Sequence, residues 1–248
     1  MLITSLENEK IKEIIKLNQS KYRKKFGKYL VEGEHLVLEA LKSGNLETLI
    51  LEKDTLFPVE REALYVTSDI LSKISSLETP PKVMGVCTIP EKEEYGSRIL
   101  LLDEIQDPGN LGTLIRSAKA FDIDTIVLGT GCASLYNSKT LRAAQGMHFH
   151  LSVVNRDLDS VIPMLKEKGI VVYATNVKYG MDARTLKKKD KENFALILGN
   201  EGAGVKDKFF DMADQYIYID MNKDVESLNV AIAGSILMYE LKDDDYNG

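Results

Sequence analysis

Three polar clusters interrupt apolar stretches in the second half of the chain: Asn110 with Arg116, Asn200 with Glu201, and Ser227 with Asn229. Each belongs with a stretch that reads as the carboxyl end of a buried strand, where open α/β sheets hold their ligands. Polar residues crowded at such strand ends are where the chemistry is expected. Plainer roles stand beside this one. Arg116, among apolar helix residues, reads on composition alone slightly better as a buried charge paired with Glu201. Ser227 reads equally as the N-cap of the last helix.

The glycines near these clusters invite a dinucleotide site, which needs G-x-G-x-x-G after the first strand of the unit. Asp107-Pro108-Gly109-Asn110-Leu111-Gly112 lacks a third glycine in frame. In Gly199-Asn200-Glu201-Gly202-Ala203-Gly204 the carboxylate of Glu201 would repel a pyrophosphate. No Gly-Lys-Ser/Thr follows any strand, so a Walker loop is absent. Three scattered histidines and two cysteines, Cys87 and Cys132, have no metal-ligand spacing, and no metal is expected.

The elements that must hold these clusters follow from the apolar pattern. Ile99–Leu102, Thr125–Leu128, Leu151–Val154, Ile170–Tyr173, Phe194–Leu198 and Tyr216–Ile219 are short runs of strand type. Helices are expected over 113–121, 138–146, 158–168 and 230–241, with 103–112 as a glycine-containing loop. That alternation predicts a parallel sheet. A polar loop, 176–193, carries Arg184, Lys187, Lys188, Lys189 and Lys191. The last helix is apolar on nearly every side, which predicts a cover beyond its own sheet.

Upstream, Thr4 and Glu7 have the form of a capping box ahead of a helix from Leu6 to Leu17. Strands are expected over 29–31, 49–51, 64–66 and 83–89, and helices over 34–42 (closed by Gly44) and 69–76. Residues 1–28 carry eight Lys or Arg against three Glu. The densest part, Lys21, Arg23, Lys24, Lys25 and Lys28 with Tyr22 and Phe26 interleaved, is either a solvated helix end with its loop or a phosphate-contacting patch.

At 248 residues, 44% hydrophobic and 28% charged, the composition is that of a soluble globular protein. No apolar run is long enough to cross a bilayer and Met1-Leu2-Ile3-Thr4 has no signal-peptide character, so a cytoplasmic protein is expected. A net charge of -6 argues against nonspecific coating of nucleic acid.

Taken together, Asn110-Leu111-Gly112-Thr113-Leu114-Ile115-Arg116-Ser117-Ala118, Leu198 to Gly204, and Ser227-Leu228-Asn229-Val230-Ala231 closely resemble the three motifs of the SpoU (TrmH-type) ribose methyltransferases of the SPOUT class. Order and spacing match across 99–241. Leu141 to Gly146 looks like that family's segment between the first two motifs, and Leu30-Val31-Glu32-Gly33-Glu34-His35 resembles its small substrate-binding domain. The resemblance implies an α/β chain in three parts. Residues 1–90 would be an RNA substrate-binding domain akin to a ribosomal-protein fold, 91–97 a linker, and 98–248 a parallel-sheet methyltransferase domain with a trefoil knot. It further implies S-adenosylmethionine as cofactor, a homodimer formed through the C-terminal domain, and methylation of a ribose 2′-hydroxyl, in ribosomal RNA ahead of transfer RNA. Two other classes stay open: a non-catalytic RNA-binding protein on the same fold, and a nucleotide-dependent oxidoreductase.

By the same resemblance, Arg116, Asn110, Glu201, Ser227 and Asn229 are the catalytic set. Thr175, Gly199, Ile219, Met221 and Leu228 would hold the cofactor, with Gly199, Ile219 and Leu228 acting through backbone groups. Family proposals make the arginine a proton acceptor. A guanidinium keeps its proton at physiological pH, so a phosphate clamp that stabilises the developing alkoxide is the better physical role. The chain departs from the family at Ile219-Asp220-Met221, where a proline is usual in the middle position. Asp220 restores an N–H and adds a negative charge.

Overall fold

In the computed structural model, which describes residues 2–90, 94–177 and 179–242, the apolar runs build two separate sheets. The chain divides into two units, residues 1–92 and 93–248.

The first unit contains β1 (Leu2–Ile3), α1 (Glu9–Lys16), α2 (Ser20–Phe26), β2 (Lys28–Glu32), α3 (Glu34–Lys42), β3 (Leu46–Glu52), β4 (Ala63–Val66), α4 (Ser68–Ile74) and β5 (Val83–Thr88). Its sheet runs β1-β4-β3-β5-β2, with β5 antiparallel to both neighbours and the other pairs parallel. Three expectations change here. Asn8 caps α1 by accepting from the N–H of Lys10, whereas Thr4 lies beyond the helix because Leu2 and Ile3 pair with β4. The helix stops at Lys16. The basic run is itself a helix, α2, rather than a helix end and loop, because its half-buried Phe26 packs on the unit's core.

The second unit contains β6 (Arg98–Leu102), α5 (Pro108–Ala120), β7 (Thr125–Leu128), α6 (Ser138–Ala144), β8 (Ser152–Asn155), α7 (Leu158–Glu167), β9 (Val171–Thr175), β10 (Met181–Asp182), β11 (Phe194–Leu198), α8 (Asp207–Met212), β12 (Gln215–Tyr218) and α9 (Val230–Glu240). All seven strands are parallel, in the order β10-β12-β9-β11-β6-β7-β8. Side chains alternate across the sheet as the period of two requires. Leu100, Leu102, Leu196 and Leu198 enter one core with α5 and α9, and Ile99, Leu101, Ala195 and Ile197 enter another with α7 and α8. A sheet covered on both faces explains why its strands read as unbroken apolar runs.

Part of the expected linker, 91–93, lies outside the described residues. Residues 94–97 belong to the second unit. The N–H groups of Gly96 and Ser97 donate to Thr125 Oγ1 and Asp124 Oδ2, at 3.0 and 2.9 Å, and the carbonyl of Glu94 accepts from Thr125. The expected loop at 103–112 is also shorter. Asp107 caps α5 and Pro108 fills its first position, so Gly109 and Gly112 are helical and Arg116 lies on the third turn, not the first. Gly112 is there for packing: a Cβ would lie 2.6 Å from the Thr140 carbonyl oxygen of α6. The polar loop 176–193 contains β10 and two short 3-10 turns, Ala183–Thr185 and Lys188–Lys191.

Candidate active site

Chain order and strand order part company at β6. From there the chain moves outward to β7 and β8 on one side, and β11 later inserts on the other side between β6 and β9. A crevice at the carboxyl ends of two such strands is where an open α/β sheet accommodates a ligand. Both ends are polar. Beyond β6, Asp103 is 2% exposed and accepts from the backbone N–H of Lys206 at 3.1 Å. Lys206 Nζ reaches Asp103 Oδ1 at 3.1 Å and Glu104 Oε1 at 2.8 Å, so the loop after β11 is fastened to the end of β6.

That loop is built by Asn200. Its Oδ1 accepts from the N–H groups of Gly202 and Ala203 at 2.9 and 3.1 Å, and its Nδ2 donates to the carbonyl of Glu104 at 3.0 Å. The backbones of Asn200 and Gly204 exchange two hydrogen bonds of 2.9 Å. Gly199 sits beneath this closure, where any Cβ would enter the backbone of Gly204 and Val205. The turn therefore presents Glu201 toward the start of α5.

Glu201 Oε1 accepts from Asn110 Nδ2 at 3.1 Å and from the N–H of Asp107 at 3.3 Å, with a longer approach of 3.5 Å from the N–H of Gln106 to Oε2. Asn110 Oδ1 in turn accepts from Asn229 Nδ2 at 3.1 Å. Asn229 uses its own Oδ1 to cap α9, accepting from Ala231 and Ile232. One chain of hydrogen bonds thus links the three clusters. Partial burial works to raise the Glu201 pKa, but the Asn110 amide and the backbone N–H groups outweigh it and hold the carboxyl below its ordinary range. Glu201 is ionised at neutral pH and acts as an acceptor that orients Asn110.

Arg116 stands apart from this chain. It is exposed, and among the described residues it has no ion pair and no hydrogen bond. The pairing with Glu201 considered from sequence is absent, because Glu201 is occupied by Asn110 and the α5 N-terminus. The capping role considered for Ser227 belongs to Asn229. Ser227 is exposed and lines a cavity instead.

The cavity measures about 250 Å³ and is bordered by the loop after β11, the segment after β12 and the start of α9. Thr175, Gly199, Ile219, Met221 and Leu228 all line it, with Leu198, Val230 and Leu237 as apolar wall and Glu201 and Ser227 as polar members. Asn110, Asn229 and Arg116 do not. A second hollow of about 620 Å³ shares Val177, Tyr218, Ile219 and Met221 and adds Asp220 and Glu226. Asp220 is not idle. Its Oδ2 accepts from Arg184 Nη2 at 3.0 Å, and Arg184 is also bound by Asp182. This ion pair fastens the segment after β12 to the end of β10, where a family proline would have limited φ. Sequence reading missed Arg184–Asp220 and Lys206–Asp103; acids directly after an apolar strand, as at Asp103 and Glu104, were the available signal.

In the first unit the five basic residues separate by role. Arg23 Nη1 donates to the carbonyls of Leu17 and Asn18, each at 3.0 Å, closing the end of α1. Lys28 pairs with Glu47 at 2.7 Å. Lys21, Lys24 and Lys25 are exposed on α2. Tyr22 and Phe26 stack on each other at 5.9 Å, with Lys21 over the first ring and Lys25 beside the second. Among the described residues no group of His, Cys, Asp and Glu could hold a metal ion, and no helix is long and apolar enough to cross a membrane.

Residues 97–239 match the SpoU rRNA Methylase family, and residues 8–85 match the MRM3-like substrate binding domain. The chain is 44% identical over 246 residues to the 23S rRNA (guanosine(2553)-2′-O)-methyltransferase RlmP of Bacillus subtilis, covering 97% of this chain and 98% of that protein. Mitochondrial rRNA methyltransferase 3 of Mus musculus is 28% identical, covering 89% and 68%. Among solved structures, the AdoMet-bound rRNA methyltransferase from Sinorhizobium meliloti superposes with a TM-score of 0.84 at 28% identity, covering 97% of each chain. A structure described as an RNA 2′-O ribose methyltransferase gives 0.81 at 27%, covering 97% of this chain and 98% of its own.

Proposed function

The chain belongs to the SpoU rRNA Methylase family, and from that premise we infer its chemistry and its substrate. It is an S-adenosylmethionine-dependent RNA 2′-O-ribose methyltransferase. The observation that carries the site is the hydrogen-bonded chain Glu201–Asn110–Asn229 beside a cavity lined by Gly199, Ile219 and Leu228. Its RNA is ribosomal, and the target we propose is the 23S guanosine that corresponds to the one named for the Bacillus subtilis relative.

The cavity suits the cofactor. Its apolar wall accepts a purine, the backbone at Gly199, Ile219 and Leu228 offers hydrogen-bonding groups, and the Glu201 carboxylate favours a nearby cation. When bound, S-adenosylmethionine supplies an electrophilic methyl group on a sulfonium. The chain must then bring a ribose 2′-oxygen in line with that methyl, and the hydroxyl proton passes to a phosphate oxygen or to water. Arg116, exposed and without a partner among the described residues, is the phosphate clamp and stabiliser of the developing alkoxide. Asn110 is held in one orientation by Glu201 and Asn229 and positions the ribose, while Ser227 contacts the substrate from the cavity rim.

The first unit is the RNA substrate-binding domain, with Lys21, Lys24 and Lys25 as its phosphate contacts. The second unit carries the trefoil knot of the SPOUT class. The strand order, with β11 and β12 each lying between strands laid down earlier, is compatible with that topology. The active form is a cytoplasmic homodimer built on α9. Calorimetry with S-adenosylmethionine and with NAD separates the open classes. Binding of the first alone is expected; binding of NAD instead, or of neither, overturns the reading.

A further inference from the structure

The second unit is acidic, with 18 Lys or Arg against 24 Asp or Glu over residues 93–248. Five of those 18 cations, Arg184, Lys187, Lys188, Lys189 and Lys191, fall within eight consecutive residues whose one acid is Asp190. The segment leaves the sheet at the carboxyl end of β10, which pairs with β12 and so adjoins the segment that lines the cavity. Elsewhere the unit repels a polyanion; here it concentrates the opposite charge.

The local structure holds the lysines outward. Ala183 and Leu186 are buried in the core that includes α9. Asp190 Oδ2 accepts from the N–H of Lys187 at 3.2 Å, and the Tyr173 hydroxyl donates to the Asp190 carbonyl at 3.0 Å. Between these anchors Lys187, Lys188 and Lys189 are exposed, and among the described residues neither Lys187 nor Lys189 has an acidic partner. Arg184 is exposed but its charge is engaged by Asp182 and Asp220, so it is not counted among the phosphate contacts.

We propose that Lys187, Lys188 and Lys189 form an RNA-backbone contact of the catalytic unit, separate from the basic helix of the first unit. The proposal rests on the methyltransferase reading, since an acidic unit that works on RNA must offset its own repulsion near the cavity. Ammonium groups on adjacent lysines read phosphate charge and not base edges, so the contact is independent of sequence. An acidic protein surface is the competing occupant.

The test is Lys187→Gln/Lys188→Gln/Lys189→Gln in the full chain, compared with the wild type and with the three Lys→Arg changes together. Affinity for a 23S rRNA fragment, methyl transfer to it and S-adenosylmethionine affinity are measured across a salt series. Loss of three phosphate contacts should reduce the slope of log affinity against log salt by about 2.1 to 2.7. Between 0.05 and 0.2 M salt the Gln variant should then lose roughly 20- to 40-fold less affinity than the wild type. The Arg variant should keep the wild-type slope, and all three proteins should bind the cofactor equally. An unchanged slope in the Gln variant, beside a wild type that methylates the fragment, overturns this surface alone and leaves an acidic protein as its partner. Loss of cofactor binding in the Gln variant would make the segment structural and also overturn it. A wild type that binds the cofactor and neither binds nor methylates ribosomal RNA overturns the functional reading itself, and the surface with it.

Discussion

Arg116 and Glu201 are the two charged residues of the proposed site, and their environments are opposite. Glu201 is held by Asn110 and by the start of α5, whereas Arg116 is exposed and uncommitted. Arg116→Ala should therefore lower methyl transfer by roughly 10²- to 10³-fold, the usual effect of removing one group that stabilises developing charge. Cofactor affinity by calorimetry should stay within about twofold, because Arg116 does not line the cavity. A folded variant that no longer binds cofactor would make Arg116 structural. A second residue-scale prediction concerns His148, whose pKa burial lowers to about 3, with His150 adding to the effect. The unfolded imidazole takes up its proton near 6.5, so this residue's contribution to stability is present above that pH and declines below it. The decline is about 1.4 kcal/mol per pH unit until about pH 3. Between pH 7 and pH 5 the wild type should lose about 2 kcal/mol more than His148→Phe in urea unfolding. Parallel losses in the two proteins would show that His148 is not buried in its neutral form.

At the scale of elements, α2 carries two functions that its sequence does not separate. Arg23→Ala should destabilise the first unit by about 1 to 2 kcal/mol through loss of a charged bond to the end carbonyls of α1, with the salt slope of RNA binding unchanged. Lys21→Ala/Lys24→Ala/Lys25→Ala should do the reverse, lowering that slope by roughly 0.7 to 0.9 per contact with little change in stability. Salt titrations and thermal melts of the two variants decide between them. The legibility of the fold follows the same division. Strands buried on both faces, such as β6, β7 and β11, are visible as apolar runs. α2 is not, because seven residues dense in charge show no apolar period, and α8 is as short. The start of α5 was hidden by glycines that serve helix packing, although Asp107 and Pro108 give a start signal when read together. The hydrogen-bonded chain of the site was beyond reach, since Asn110 and Asn229 are 119 positions apart and meet only through the strand order.

For the whole molecule, α9 leaves Ile232, Ile236 and Tyr239 exposed by 53%, 36% and 62%, while Ala231, Leu237 and Met238 on its other face are buried. Those three residues lie on successive turns, so they form one apolar stripe, and a second copy of the chain is the proposed cover. Ile232→Asp/Ile236→Asp should convert a dimer to a monomer in light scattering at micromolar concentration; a wild type that is already monomeric contradicts the assembly. The family motifs made activity and cofactor legible in the sequence, because their residue types, order and spacing are recognisable along the chain before the fold brings them together. The central claim remains that this chain places a methyl group on a ribose 2′-oxygen of ribosomal RNA. Its most direct measurement is incubation of the purified protein and S-adenosylmethionine with unmodified 23S rRNA, followed by mapping of the modified nucleotide by mass spectrometry. A single 2′-O-methylguanosine at the position corresponding to guanosine 2553 is the result expected from the Bacillus subtilis relative. A methyl group on a base, or none on RNA despite bound cofactor, would contradict it.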